Sequence, residues 1–497
     1  MSPKGRPEGE YRSAQREGSP MSPKGRPEGE YRSAQREGSP MSTDGVAVIG
    51  GGWAGCAAAV ALAHAGVPVT LFETAPLLGG RARRVLRAGL PLDNGQHLLL
   101  GAYEQTLAML DCVHGEAGTR GVAARRPLTI MPLSPTQPGA LTLTRGGAEG
   151  SLGLLTGLLG ARGLSWRERI ANIAWMRKLK RTHFVRPPAE TVAQMLAPLP
   201  RRVAQGLWEP LCLAALNTPV ASASAQIFAS VLKATFAGRA DASDFLLPAT
   251  DLSAMFPEAA ARFVGDRGGA IRTSAPARVI RASRSETTLL VGTQLHEFRA
   301  AIVAVGPHQV QGAFAPEVLA ALPALRASLE PLATLEYEPI FTVWLGYGSA
   351  LPLPAMIARL DDAPGQWVVD RPDVLAHARA DRNRPALQQL LAVILSASGP
   401  HEALDHGMLA VDIDAQLRRL QPDRPPCEWF QVIAERRATY ACTPGRARPG
   451  QARLVDGIYL AGDYLDADYP ATLEAAVRSG NAAARAVRGD LASAAAQ

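Results

Sequence analysis

The residue types and spacing best suited to chemistry lie near the start of the apolar part of the chain. The apolar run Val46–Ile49 is followed by a loop in which Gly50, Gly52 and Gly55 fit the pattern G-x-G-x-x-G. The first glycine allows a tight turn, the second lets a pyrophosphate approach the backbone, and the third lets a helix pack on the strand. A second predicted strand ends at Glu73, whose carboxylate can accept hydrogen bonds from ribose hydroxyls. This spacing predicts a dinucleotide site.

A second glycine turn, Gly79-Gly80-Arg81, follows Glu73. An arginine suits a phosphate because its planar guanidinium can donate two hydrogen bonds to phosphate oxygens. The pattern therefore favours a position for Arg81 beside the same pyrophosphate. The alternative is a surface turn with a solvated arginine.

The C-terminal region contains another strand–loop–helix pattern. An apolar strand runs into Gly462-Asp463, and a predicted helix opens near Pro470 and includes Thr472-Leu473. The first turn of a helix offers unpaired N–H groups and the positive end of its dipole to an anion. Together with the glycine loop, this pattern indicates one nucleotide site built from both ends of the chain. Residues 46–97 and 456–487 must then be close in space.

A polar cluster, Asp93 to His97, lies within leucine-rich sequence. A histidine or a carboxylic acid beside a reacting group can transfer a proton. Asp93 and His97 are therefore candidate catalytic residues. The alternative is structural, with both side chains holding the loop by hydrogen bonds.

The elements that must position these residues change character along the chain. Residues 1–20 recur identically as residues 21–40, and their polar, Gly- and Pro-rich composition predicts disorder. Helical patterns dominate residues 153–264, and short strands return at 277–305. Residues 340–434 contain the strands of a second sheet, with a helix over 404–420 before its last strand.

Composition excludes several classes of function. The five cysteines form no C-x-x-C pair or metal-type cluster, so we expect reduced thiols and no metal site. The net charge of +7 is modest and aromatic residues are few, which argues against nucleic-acid binding. We expect no membrane span, because no run approaches roughly 18 apolar residues.

Three groups of residues together resemble the flavin amine oxidase and phytoene desaturase superfamily of FAD proteins. They are GGGWAG with Glu73 and Gly79-Gly80-Arg81, DNGQH at 93–97, and LAGDY with PATLE at 470–474. Longer strings resemble one branch, the hydroxysqualene dehydroxylases: DNGQHLLLGAY (93–103), LWEPLCLAALNTP (207–219), GQWVVDR (365–371) and ERRATYACTP (435–444). The resemblance covers residues 41–490.

The resemblance implies FAD as the cofactor and assigns a part of it to each motif. It places Gly50, Gly52, Gly55, Gly80 and Arg81 at the pyrophosphate, Glu73 at the adenosine ribose, the backbone of Val279 at the adenine, Gly462 and Asp463 on the ribitol side, and the N–H groups around Thr472 and Leu473 at flavin N1 and O2. The 93–97 loop is expected beside the isoalloxazine ring.

The implied fold is α/β, with a Rossmann-like FAD-binding domain and an inserted substrate domain of mixed sheet and helices. The predicted segments are a disordered duplicated leader (1–40), the first part of the FAD-binding domain (41–145), a mainly helical insertion (146–265), a second FAD-binding part (266–310), the substrate-domain sheet (311–440) and a C-terminal FAD-binding part (441–497).

The branch implies replacement of the hydroxyl of hydroxysqualene by hydride to give squalene. A departing hydroxide needs a proton, for which His97 and Asp93 are the candidates. One alternative is a carotenoid-type desaturase or another flavin amine oxidase-like oxidase, in which the flavin accepts hydride. A second alternative is a prenyl-lipid-binding escort protein without redox chemistry, against which the intact tail 462–474 argues. Because G-x-G-x-x-G occurs only once, we expect the electron donor to be a separate protein.

A long isoprenoid substrate prefers a bilayer to water, so we expect a cytoplasmic protein that docks on the inner face of the cell membrane. Residues 152–181 combine many apolar side chains with seven basic residues and one acid. Basic interfacial helices bind anionic lipid through this combination. The alternative is a substrate-domain helix with one buried apolar face.

Overall fold

The computed structural model describes residues 45–137, 140–145, 150–239, 241–378, 387–446, 450, 452–466 and 469–495. The predicted disordered leader at 1–40 lies outside these ranges.

A six-stranded sheet carries the nucleotide motifs. Its strands lie in the order Ala270–Arg272, Val69–Phe72, Val46–Ile49, Ala300–Val303, Ile458–Leu460 and Arg453–Val455. The first five are parallel and the last is antiparallel. The carboxyl ends of parallel strands share one edge, which brings the glycine loop and the C-terminal Gly462-Asp463 turn together.

Helix Trp53–His64 is buried between this sheet and two further helices, Pro257–Gly265 and Leu473–Ala495. Small side chains allow this close approach, since a Cβ added at Gly480 would lie 2.2 Å from the carbonyl oxygen of Ala54. The alanine-rich sequence after the glycine loop is therefore explained by packing on both sides of the helix.

A seven-stranded sheet forms the second layer. Its order is Trp429–Tyr440, Tyr337–Tyr347, Gln389–Ser396, Trp367–Asp370, Ile357–Arg359, Thr129–Pro132 and Leu143–Thr144. All of its neighbouring strands are antiparallel except the pair Ile357–Arg359 and Thr129–Pro132. The helix predicted over 404–420 spans His406–Leu420, begins at an Asp405 cap, and packs on this sheet.

Helices form most of residues 150–236. They are Gly150–Gly160, Trp166–Arg181, Val192–Leu196, Arg201–Val203, a π-helical turn Ala204–Trp208, Glu209–Leu216 and Ala225–Phe236. The rings of Trp175 and Trp208 pack at a centroid distance of 5.1 Å. Both belong to a hydrophobic core that these helices share with the six-stranded sheet.

Smaller elements connect the two layers. The strands are Arg84–Arg87 with Leu90–Asp93, Leu99–Leu100 with Phe245–Pro248 and Ala123–Arg126, and Ala277–Ala282 with Thr287–Val291 and Gln294–Phe298. The remaining α-helices are Glu104–His114, Leu252–Met255, Pro316–Ala321, Pro323–Ala333 and Pro372–Ala378, and 3₁₀ turns span Thr119–Gly121, Pro307–Gln309, Gln311–Ala313 and Pro400–Ala403. Among the residues described above, no helix combines the length and the apolar character needed to cross a membrane.

The predicted α/β class, with a Rossmann-like domain and an inserted mixed-sheet and helical region, is confirmed. The domain boundaries stay predictions. Several elements cross them in space. For example, Thr129–Pro132 joins the seven-stranded sheet, and Pro257–Gly265 packs on helix Trp53–His64.

The segment 152–181 consists of two helices with a turn between them, and its apolar residues divide into two sets. The buried set includes Leu158, Leu164 and Trp175. Trp175 lies on the buried side of helix Trp166–Arg181, together with Asn172 and Leu179. Trp166 and Ile170 are 65% and 62% exposed. The segment therefore combines a buried apolar face, as in the alternative above, with exposed apolar side chains, and membrane docking stays a prediction.

Candidate active site

The glycine loop has a conformation that side chains would obstruct. Gly50 has φ +107°, and its N–H donates to the carbonyl of Phe72 at 2.8 Å. A Cβ on Gly55 would lie 1.9 Å from the carbonyl oxygen of Gly50. The protein's own backbone geometry and packing therefore require glycine at positions 50 and 55.

Gly52 has a different environment, which fits a pyrophosphate. The nearest atom to a Cβ added there is the Cα of Gly80, at 3.9 Å, so the protein itself does not require a glycine. Gly52 is also the N-cap of helix Trp53–His64, where no side chain makes a capping hydrogen bond. The loop thus leaves both space and N–H donors at a helix N-terminus, as an anion requires.

Glu73 lies at the carboxyl end of the neighbouring strand. Its Oε2 accepts from Gly51 N–H at 2.6 Å, and its Oε1 accepts from Ala75 N–H at 2.7 Å. These bonds fix the carboxylate on the cavity wall, while each oxygen keeps a lone pair for a ribose hydroxyl.

Arg81 joins the front of the chain to its tail. Its Nη2 donates to Asp463 Oδ2 at 2.7 Å, and its Nη1 donates to the carbonyl of Ala438 at 2.7 Å. Burial alone would lower the pKa of Arg81, but the charge and hydrogen bond of Asp463 raise it overall, so the guanidinium is ionised. The two ends of the chain meet as the sequence requires.

The C-terminal motif ends at a helix that opens on the same cavity. Gly462 N–H donates to Ser479 Oγ at 2.9 Å, which holds the Gly462-Asp463 turn against the helix. Thr472 Oγ1 accepts from Ala475 N–H at 3.2 Å and so caps the helix that begins at Leu473. Both Thr472 and Leu473 line the cavity.

One cavity of about 1230 Å³ includes all these groups. It extends from the glycine loop into a chamber lined by apolar side chains, which we call the apolar chamber. Its lining includes Leu211, Phe228, Val231, Leu232, Phe236, Phe245, Leu247, Ile340, Ile357, Trp367, Val369 and Ile394. The helical group and the seven-stranded sheet both contribute to this wall.

The 93–97 loop contributes residues 94–97 to the wall of this cavity. Asp93 is fully buried and does not lie on the cavity wall. Its carboxylate accepts from Arg371 Nη1 at 2.9 Å and from Leu252 N–H at 2.9 Å. Burial raises the pKa of Asp93 to about 6, although the Arg371 charge opposes that shift. Arg371 also donates to Gln96 at 2.7 Å, so this buried pair holds the loop.

His97 does lie on the cavity wall. Its Nδ1 is 2.8 Å from the carbonyl oxygen of Gly95, which can only accept, so Nδ1 carries the proton. Burial lowers the pKa of His97, and the charges of Arg81 and Arg371 lower it further. The ring is therefore neutral at pH 7, with an unprotonated Nε2.

The strand predicted to contact adenine reaches the cavity at another residue. Val279 is fully buried and its carbonyl accepts from Ala315 N–H at 2.8 Å. Ala277, two residues earlier in the strand, lines the cavity instead.

The predicted site residues did not include Glu435 and His308, which also lie on the cavity wall. Glu435 Oε2 accepts from Asn94 Nδ2 at 3.0 Å, which links the 93–97 loop to the last strand of the seven-stranded sheet. The run ERRATY contains no periodic signal that distinguishes Glu435 from its neighbours. Only the strand pairing places it on the cavity.

The fold and this site define a flavin-dependent oxidoreductase with a nucleotide-binding sheet. A sequence model of the flavin-containing amine oxidoreductases matches residues 175–488, and one of NAD(P)-binding Rossmann-like domains matches residues 48–113. The chain belongs to the flavin-containing amine oxidoreductase family. The predicted cofactor, FAD, is confirmed, and the open helix N-terminus at Gly52 fits its pyrophosphate.

Similar proteins extend over nearly the whole chain. A hydroxysqualene dehydroxylase of Rhodopseudomonas palustris is 29% identical over 88% of this chain and 97% of its own length. A zeta-carotene desaturase of a Synechocystis species is 24% identical over 89% of this chain and 96% of its own length. Putrescine oxidase bound to putrescine has the same fold, with a TM-score of 0.63, 16% identity, and coverage of 90% of this chain and 99% of that one.

Proposed function

We propose that this protein removes the hydroxyl group of hydroxysqualene and puts hydride in its place to give squalene. The observation that carries this proposal is the single cavity that joins a dinucleotide site to a large apolar chamber. A long hydrocarbon needs such a chamber, because each buried CH₂ contributes about 0.8 kcal/mol. The similarity to hydroxysqualene dehydroxylases over most of both chains supports this substrate.

Bound FAD in its reduced form would supply the hydride. We propose that Glu73 holds the adenosine ribose, that the backbone of Ala277 rather than Val279 contacts the adenine, and that Arg81 contacts the pyrophosphate. The helix that starts at Leu473 would direct its N–H groups at the ring, where they stabilise negative charge. The apolar chamber excludes water from the carbon centre that loses its hydroxyl.

A single-turnover experiment tests the proposal. Purified holoprotein is reduced without oxygen and mixed with hydroxysqualene, and the flavin spectrum and the extracted lipid are followed. We expect flavin reoxidation and one squalene per flavin. In a parallel sample, oxidised holoprotein should not desaturate phytoene. Desaturation of phytoene with no squalene formation would favour the carotenoid desaturase alternative.

We also propose that a separate electron-donor protein reduces the flavin. In addition, we propose that the protein described here docks on anionic membrane lipid. The docking face is the exposed side of helix Trp166–Arg181, which we call the basic helix face. It combines exposed Trp166 and Ile170 with exposed Arg177, Lys178 and Arg181. On the buried side of the same helix, Asn172 accepts from the indole N–H of Trp208 at 2.9 Å. Trp208 directly precedes helix Glu209–Leu216, whose Leu211 lines the cavity.

Sedimentation with anionic liposomes tests this docking. Replacing Arg177, Lys178, Lys180 and Arg181 by Gln should reduce the pelleted fraction, because each cation near the surface contributes about 1 kcal/mol. The matched control replaces four exposed arginines elsewhere by Gln: Arg284, Arg326, Arg485 and Arg488. Equal pelleting of both variants would exclude the basic helix face as the docking surface.

A further inference from the structure

The proposed reaction needs a proton donor on the cavity wall, because a departing hydroxyl leaves as water. Two histidines lie on the described wall, His97 and His308, and in both cases burial lowers the pKa. Both are therefore neutral at pH 7 and lack the proton that an imidazolium would donate. Asp93 is off the wall altogether.

Three carboxyl groups lie on the described wall, and two of them are engaged at the nucleotide end. Both oxygens of Glu73 accept backbone N–H groups beside the glycine loop. Asp463 is ion-paired with Arg81 at 2.7 Å. The remaining carboxyl is Glu435.

An irregular strand directs Glu435 into the cavity. Ile340 pairs with Glu435 and Glu338 pairs with Thr439, so residues 436–438 bulge opposite the single residue Pro339. Bulges of this kind redirect side chains near active sites. Ile340 also lines the cavity, which places Glu435 at the boundary between the apolar chamber and the polar loop.

The hydrogen bonds of Glu435 leave its carboxyl group open to a substrate oxygen. Its Oε2 accepts from the neutral amide of Asn94, and its Oε1 accepts from Arg437 N–H at a long 3.3 Å. Each oxygen therefore keeps a lone pair that a substrate hydroxyl can approach. Arg81 is a charged neighbour of Glu435, and its charge is balanced by the ion pair with Asp463.

We propose that Glu435 is the catalytic acid of this reaction, an assignment that depends on the proposed function. The C–O bond breaks as the Glu435 carboxyl gives its proton to the departing oxygen, which leaves as water. Hydride from the reduced cofactor forms the new C–H bond, so the substrate gains two electrons and the cofactor loses them. Solvent then restores the proton to Glu435.

The test compares two leaving groups in two variants. Glu435→Gln keeps the size and the acceptor for Asn94 but cannot donate the proton. Glu338→Gln is the matched control, since Glu338 lies across the bulge, off the cavity wall, and accepts from Ser398 N–H. Each reduced holoprotein is mixed with hydroxysqualene or with its acetate ester, whose leaving group departs as acetate and needs no proton.

We expect Glu435→Gln to reduce hydroxysqualene at least about 100-fold more slowly than wild type. The acetate ester should react at nearly equal rates in all three proteins. FAD content and binding of hydroxysqualene to the oxidised holoprotein should be unchanged, which separates proton donation from positioning.

Each other outcome decides a different question. An unchanged rate with hydroxysqualene in Glu435→Gln, or an equal loss of rate with the ester, would overturn the acid assignment alone. A wild-type protein that binds FAD but reduces neither compound would instead overturn the proposed function, and the acid role with it.

Discussion

The two halves of the cavity are built in different ways. In the nucleotide half, directed hydrogen bonds fix the functional groups. For example, the backbone N–H groups of Gly51 and Ala75 donate to the carboxylate of Glu73. In the apolar chamber, helices and strands from distant parts of the chain contribute apolar side chains, such as Leu211 and Ile394. Affinity in the first half depends on a few directed bonds, whereas affinity in the second depends on total apolar area.

This difference explains how one fold can bind one cofactor and many substrates. Replacing an apolar side chain changes the shape of the chamber and leaves the directed bonds to the nucleotide in place. The buried pair of Arg371 and Asp93, which we call the junction, lies off the cavity wall and holds the 93–97 loop that lines it. Substitutions in the three places should therefore have separable effects.

The largest effect should come from the junction. Arg371→Ala leaves Asp93 and Asp373 buried without their cation, which should lower the free energy of unfolding by about 3–5 kcal/mol. Urea denaturation of the apoprotein measures this. The control is Arg419→Ala, which removes a half-exposed partner of Asp361 and should cost less than about 1 kcal/mol. Equal losses in both variants would show that burial of the Arg371 pair is unimportant.

In the nucleotide half, Glu73→Ala should weaken FAD binding by roughly 1.5–3 kcal/mol, because it removes charge-assisted hydrogen bonds. Flavin titration of the apoprotein measures the affinity, and hydroxysqualene binding should be affected only through the cofactor. The control is Glu297→Ala, which removes an exposed carboxylate in strand Gln294–Phe298 and should leave FAD binding normal. Normal FAD affinity in Glu73→Ala would remove the ribose contact from the site.

In the apolar chamber, Leu211→Ala should weaken binding of hydroxysqualene by about 1–2 kcal/mol, roughly 5- to 30-fold, with FAD content unchanged. Titration of the oxidised holoprotein measures this, since it cannot complete the reaction. Leu295→Ala serves as control because Leu295 is 60% exposed and off the cavity wall. If Leu211→Ala loses FAD instead, the two halves are not separable.

The smallest effect should come from His97→Gln. The ring is already neutral because its pKa is lowered, so its Nε2 holds no proton to donate at pH 7. We expect the rate to change less than about threefold and the pH–rate profiles to coincide between pH 6.5 and 8, well below the 10²-fold loss typical of a missing acid. A 100-fold loss with normal FAD content would return His97 to a catalytic role.

Sequence reasoning could predict the nucleotide half because its signals are local. Glycine spacing, a strand-end carboxylate and a helix start are each contained within a few residues, so Gly52, Glu73 and Thr472 are on the cavity as predicted. Glu435 could not be found this way, since its position depends on a bulge that only strand pairing creates. The burial of Trp175 could not be found this way either, because packing against Trp208 contributes to the choice of the buried face of its helix.

The central claim is that one cavity places the cofactor and the isoprenoid for direct hydride transfer. The holoprotein is reduced anaerobically in D₂O, where the transferable hydrogen of the flavin exchanges with solvent, and is then mixed with unlabelled hydroxysqualene. We predict squalene that carries one deuterium at the carbon that bore the hydroxyl, formed in step with flavin reoxidation. Flavin that stays reduced, or squalene without deuterium, would contradict the claim.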